Sequence, residues 1–225
     1  TYGWLVGEVI RRASGRTVGT IFREELAGPL GLDIHIGFGP EHDERVASLR
    51  AGPRPEGPTL FDKIMTDPTS MTARAFANPL SMLVPTNFAS RAWRETELPA
   101  VNGHATARSL ARLYGALACG GAHDGVQVMS PESITRASTE HSNGRDAVLD
   151  VPTRFGLGFM LTQPSSPAAS FGGPRGFGHP GAGGSVGFAD PEARVGFGYT
   201  MNRMGSSILL DPRVVDLSAA LYASL

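Results

Sequence analysis

Gly176-Phe177-Gly178-His179-Pro180-Gly181-Ala182-Gly183-Gly184-Ser185-Val186-Gly187-Phe188 is followed by the turn Asp190-Pro191-Glu192-Ala193-Arg194 and by Val195-Gly196-Phe197-Gly198-Tyr199. Two short apolar runs joined by a proline-containing turn read as antiparallel strands, because so short a connection leaves no room for a parallel crossover. Phe155-Gly-Leu-Gly-Phe-Met-Leu161 reads as a further strand, so strands are expected over residues 155–161, about 175–180, 184–190 and 194–202. Within this region a lone histidine sits among glycines, where no Cβ atoms keep a ligand from the backbone. That pattern fits a site at a strand's end, and it equally fits a plain glycine loop in a hairpin sheet.

Working back toward the start, Thr106 is placed to cap a helix whose stripe is Ala107, Leu110, Ala111, Leu113, Tyr114, Leu117 and Ala118, stopped by Gly120-Gly121. Ser130-Pro131-Glu132 is a second helix start, and residues 138–152 are a polar passage into the strands. At the front, a helix from about Tyr2 to Ser14 stops at Gly15, and Thr17 caps a second that ends at Gly28-Pro29. Residues 33–102 carry prolines at 40, 53, 55, 58, 68, 79, 85 and 99, which break any long element; short helices at residues 60–66 and 86–93 are expected in a wandering excursion. A last helix starts at Asp211-Pro212 and lies across the sheet. The fold class is α+β, an antiparallel sheet with helices on its faces plus a helical region. Residues 1–150 form the mainly helical region with its irregular excursion, and 151–225 the strands and closing helix.

Composition narrows the chemistry. Twenty basic and twenty-one acidic residues leave a net charge of −1 without any block of like charge, which speaks against a nucleic-acid partner. No stretch is long and apolar enough for a transmembrane segment. Cys119 is the single cysteine and is expected to be buried and inert in its apolar run; it excludes an internal disulfide and leaves the compartment open. The first residues open inside a helical pattern with no cap or leader before them, so the chain is expected to be an excerpt of a longer protein, with Tyr2 packed in its helix.

The histidines at 35, 42, 104, 123, 141 and 179 show no metal-ligand spacing, and no metal or cofactor is implied. Gly183-Gly184-Ser185-Val186-Gly187 matches the nucleophile-elbow pattern. That elbow needs a strand turning into a helix and a later histidine; here a strand follows Ser185 and no histidine comes after it, so Ser185 is not the nucleophile of such a triad.

Taken in order, Gly-Trp-Leu-Val-Gly-Glu-Val-Ile-Arg-Arg, Ser-Gly-Arg and Pro-Leu-Gly-Leu within residues 3–32, Asn-Gly-His-Ala-Thr-Ala-Arg-Ser-Leu-Ala-Arg at 102–112, and Phe-Gly-His-Pro-Gly-Ala-Gly-Gly-Ser at 177–185 resemble the serine β-lactamase-related family. The esterase branch, related to class C β-lactamases and DD-peptidases, is the most similar. The resemblance implies a β-lactamase/DD-peptidase-like fold and a small-molecule ester or lactam substrate hydrolysed through an acyl-enzyme. It implies that His179-Pro180-Gly181 is the family's third motif, with His179 polarising the reacting groups. The backbone N–H of Ala182 is then one oxyanion donor, and Pro180, Gly181 and Gly183 line the substrate.

The family's Ser-x-x-Lys is absent: the sole lysine is Lys63, with Leu60 three residues before it. Nucleophile, lysine and tyrosine are therefore expected upstream, as are the strands that complete the sheet. The chain alone is expected to be inactive. The alternative is a non-catalytic, penicillin-binding-like or pseudo-enzyme module.

Overall fold

The computed structural model describes residues 2–53, 57, 59–79, 81, 84–166 and 169–225; Pro55 and Pro58 lie outside them. Helix α1 (Tyr2–Ser14) ends at Gly15, whose φ of +70° suits glycine. It sits on Pro99 and Ala100 through its glycines, since a Cβ at Gly3 would fall 2.6 Å from the Ala100 nitrogen. None of its residues is buried, and Tyr2, expected to pack, is 63% exposed, because the contact is made on the side of Gly3 and Gly7. Thr17 caps α2 (Val18–Ile21) by accepting the Thr20 amide; the helix widens to π geometry over Phe22–Ala27 and runs on as α3 (Gly28–Leu30) to Gly31. It outlasts its expected end at Gly28-Pro29 because Pro29 falls in the first turn of α3, where no N–H is required.

Strand β1 (Ile34–Ile36) pairs antiparallel with β2 (Gly103–Ala105), closing the base of the excursion. Between them lie a 3-10 turn at Pro40–Arg45, α4 (Leu60–Thr66) with a Thr59–Asp62 capping box, α5 (Met71–Phe76), a second 3-10 turn at Pro85–Ala89 and α6 (Arg91–Glu95). The helix expected at residues 86–93 is thus split: the Ser90 hydroxyl accepts the Trp93 amide and starts a new helix there. Helix α7 (Ala107–Ala118) is capped by Thr106, and its end leaves Cys119 exposed, contrary to the expected buried thiol. A hairpin of β3 (Ala122–His123) and β4 (Val126–Gln127) leads to α8 (Pro131–Ala137).

The main sheet is a meander of β5 (Ser142–Arg145), β6 (Pro152–Phe155), β7 (Met160–Leu161), β8 (Phe177–Pro180), β9 (Val186–Asp190) and β10 (Val195–Tyr199), in the spatial order β10-β9-β8-β7-β6-β5 and antiparallel throughout. It begins before residue 151, because β5 lies in the passage read as merely polar. The expected strand 155–161 is two strands turning at Gly156-Leu157-Gly158, where a Cβ on Gly156 would strike the Ala137 carbonyl at 2.1 Å and Gly158 has φ +89°. Helix α9 (Pro212–Tyr222) follows.

The two faces of the sheet are packed differently. Against α9, Phe171, Val186, Phe188 and Val214 form a cluster in which Phe171, Phe188 and Val214 are 0% exposed, each worth about 1.5–3 kcal/mol of burial. Against α7 the strands present glycine: a Cβ at Gly196 would lie 2.1 Å from the Gly115 nitrogen, one at Gly198 2.4 Å from the Ala107 carbonyl oxygen, and one at Gly187 2.1 Å from the Tyr114 ring. The helix therefore rests on strand backbone, with Leu117 and Ala118 reaching Phe177 and Ala189 beside it.

Gly196→Ala is expected to destabilise the chain by about 1–3 kcal/mol through overpacking, read as a lower urea midpoint. Gly103→Ala, whose Cβ meets nothing within 4 Å, should change stability by less than about 1 kcal/mol. Equal midpoints for the two variants would show that α7 does not rest on the strand backbone.

Candidate functional site

Strand β8 delivers His179 to the rim of the sheet. Phe177, at the start of the strand, is fully buried and anchors it, whereas His179 is exposed. In the β8–β9 register His179 stands opposite Gly187 and Pro180 opposite Val186; Gly187 has no side chain of its own, and the Tyr114 ring of α7 fills the place its Cβ would take. The Phe155 ring lies 6.3 Å from the imidazole between centroids.

The His179 Nδ1 lies 2.7 Å from the carbonyl oxygen of Pro180. A carbonyl only accepts, so Nδ1 carries the proton and Nε2 keeps its lone pair. By surface area the ring is open, yet protein atoms crowd round it, and this partial loss of water pushes its pKa below the ordinary 6.5; the Pro180 hydrogen bond acts weakly the other way. The crowding governs the charge and the open surface governs access. The result is a neutral imidazole on an exposed residue, whose Nε2 has no hydrogen-bond partner among the described residues.

After Pro180 the chain turns through Gly181 to Ser185. Gly183 and Gly184 have φ of +87° and +124°, a conformation that excludes most side chains. The Gly181 amide donates to the Ser185 carbonyl at 2.6 Å, that of Gly183 to the Ser207 carbonyl at 3.1 Å, and that of Gly184 to the Gly181 carbonyl at 3.0 Å. The Ala182 amide donates to no acceptor among the described residues, and Ala182 is exposed. One free backbone donor thus lies three residues from a neutral histidine, an arrangement suited to holding a developing oxyanion beside a proton acceptor.

His179, Pro180, Gly181, Ala182 and Gly183 are contiguous, so the strand end and its turn bring all five together. Ser185 leads directly into β9, with no helix after it. Lys63, on α4, sits 3.4 Å from the Asp150 carboxylate, exposed and paired. Missed from the sequence is the segment from Arg203 to Arg213, which fastens the turn. Its signal is Arg213 itself, a cation in the first turn of α9, where the helix dipole disfavours positive charge. Among the described residues, no group of three or more potential ligands could hold a metal ion and no helix is long and apolar enough to cross a membrane.

Comparison with known proteins agrees with this architecture. The chain is 35% identical over 217 residues to the esterase/beta-lactamase LipL of Mycobacterium tuberculosis, covering 93% of this chain and 48% of that protein. Among solved structures, a penicillin-binding protein homologue from Caulobacter crescentus superposes with a TM-score of 0.85 at 42% identity, over 100% of this chain and 57% of its own. A family VIII carboxylesterase superposes with a TM-score of 0.82 at 34% identity, over 98% and 56%. The chain spans about half the length of these relatives. A family model described as Beta-lactamase matches residues 1–220, and the chain belongs to that family.

Proposed function

We propose that this chain supplies one wall of the acyl-transfer cleft of a serine esterase. The observation that carries the reading is the Ala182 amide, the one N–H of the turn's four central residues without an acceptor among the described residues, set beside the free Nε2 of His179. In an ester hydrolysis, a serine oxygen attacks the carbonyl carbon and the carbonyl oxygen takes on negative charge. A fixed N–H aimed at that oxygen contributes about 3 kcal/mol to the transition state. The ester C–O bond then breaks, the serine's proton passes to the leaving alkoxide, and water releases the acyl group by the reverse sequence.

The serine and its basic partner are not among these residues. No Ser-x-x-Lys occurs in the chain, and the proposal assigns that motif and the family's tyrosine to sequence upstream of Thr1. An ester is preferred to a lactam as substrate because the third motif has histidine where many members have lysine, and because a carboxylesterase and a protein named as an esterase are among the relatives. The upstream coding sequence separates the two readings of the chain: Ser-x-x-Lys followed by a tyrosine near the chain's start favours the enzyme, and a genuine start codon there favours a binding or pseudo-enzyme module.

The 225-residue chain should hydrolyse a chromogenic ester no faster than its His179→Ala variant; burst kinetics that depend on His179 would sink the proposal. In the full-length protein, His179→Ala should lower kcat/KM by about 100-fold or more. The pH profile adds a second check. Protonation removes the Nε2 lone pair, so activity should hold above the His179 pKa and fall as pH drops through it. The crowding around the ring puts that acidic limb below pH 6.5; a limb above 6.5 that disappears in the variant would contradict the neutral-imidazole assignment.

A further inference from the structure

Gly183, the residue after the free Ala182 amide, is held from three directions by the segment that leads into α9. Its carbonyl accepts hydrogen bonds from the Gly205 amide at 2.6 Å and from Nη2 of Arg213 at 3.1 Å, while its own N–H donates to Ser207. The same guanidinium lies across Asp211, Nε to Oδ1 at 2.7 Å and Nη2 to Oδ2 at 2.9 Å, and its Nη1 donates to the Arg203 carbonyl at 3.1 Å. Asp211 is only 4% exposed and also caps α9 by accepting the Arg213 amide.

The geometry carries this grip to Ala182. A Cβ on Gly184 would lie 3.0 Å from Nη2 of Arg213, so Gly183 and Gly184 together are pressed against the guanidinium. Gly184 in turn donates to the Gly181 carbonyl. In a trans peptide the C=O and the following N–H point in opposite directions. Fixing the Gly181 carbonyl toward Gly184 therefore aims the Ala182 N–H the other way, out of the turn. A planar guanidinium with several donors in a fixed fork can bridge Asp211, Arg203 and Gly183 at once, which a lysine's single ammonium does less well.

We propose that Arg213, oriented by Asp211, is a positioning residue that sets the direction of the Ala182 N–H toward the substrate oxygen. This rests on the reading of Ala182 as an oxyanion donor. Its expected signature is a loss of turnover without a loss of substrate binding, because a misdirected donor weakens the transition state more than the bound ester.

The test is ester hydrolysis by the full-length protein with Arg213→Gln, Arg213→Lys and Asp211→Asn, alongside amide hydrogen exchange of Gly183 and Gly184 in the same protein. Arg213→Gln should lower kcat at least tenfold with KM within twofold, Arg213→Lys should fall between it and the wild type, and Gly183 and Gly184 should exchange faster in both the Gln and Asn variants. Asp211→Asn keeps the cap oxygen and serves if Arg213→Gln does not fold. Unchanged kcat or unchanged exchange in these variants, with His179→Ala still inactive, overturns the positioning role and leaves the cleft reading intact. A full-length protein without turnover, or one indifferent to His179→Ala, overturns the cleft reading and this inference with it.

Discussion

Backbone-to-backbone contact between α7 and the last two strands is the constraint on which the other parts depend. Gly187, Gly196 and Gly198 carry no side chain where α7 crosses them, so helix and sheet approach to a distance at which any Cβ would collide. At such separations each lost contact costs little singly and much in sum, and tolerance for displacement is small. The alternation along β9 and β10 does the rest. Glycine on one side leaves Val186, Phe188 and Phe197 on the other, where α9 covers them. Both helices are thereby indexed to the same two strands, and β8 with its histidine is indexed to β9.

The chemistry of the site follows from where that ordered backbone stops. Phe177 holds β8 down and the strand ends at Pro180; beyond it the chain has no ladder partner and must satisfy its amides locally. Three of the four turn amides do so, through Ser185, Ser207 and Gly181. The site is thus a region of polar backbone beside an imidazole kept neutral by crowding, with its tautomer set by the bond to Pro180. Groups already fixed in place need no reorganisation when charge develops, which is what would give them catalytic value in the proposed cleft.

Much of this is legible in the amino-acid sequence. Glycine alternating with Val, Phe and Tyr in residues 195–199, the short Asp190–Arg194 turn and the Thr106, Ser130 and Asp211 caps each have a direct physical meaning, and together they fix the α+β class. The candidate motif at His179 was recognisable from its order relative to the segments at 3–32 and 102–112. Strand β5 was not, because Ser142-Asn143-Gly144-Arg145 is exposed at all four positions and sits at the sheet's edge, where nothing demands an apolar pattern. The expected packing of Tyr2 fails for another reason: α1 meets Pro99 and Ala100 through Gly3 and Gly7, and Tyr2 is left 63% exposed. The Arg213 grip depends on residues far apart in sequence, and only its oddity at a helix start hinted at it.

The meander has a consequence for how the molecule comes together. Each strand of the main sheet pairs with its neighbour in sequence, so β5 to β10 can zip up hairpin by hairpin, with residues 162–176 between β7 and β8 the longest closure. The seat of α7 on β9 and β10 joins parts far apart in the chain, and the entropy of closing that long loop rises only slowly with its length. An ordering follows in which a locally assembled sheet offers a glycine groove and the preformed helix settles into it. Substitutions along the groove then act on the late, long-range step, raising the unfolding rate more than they slow the first pairing of the strands.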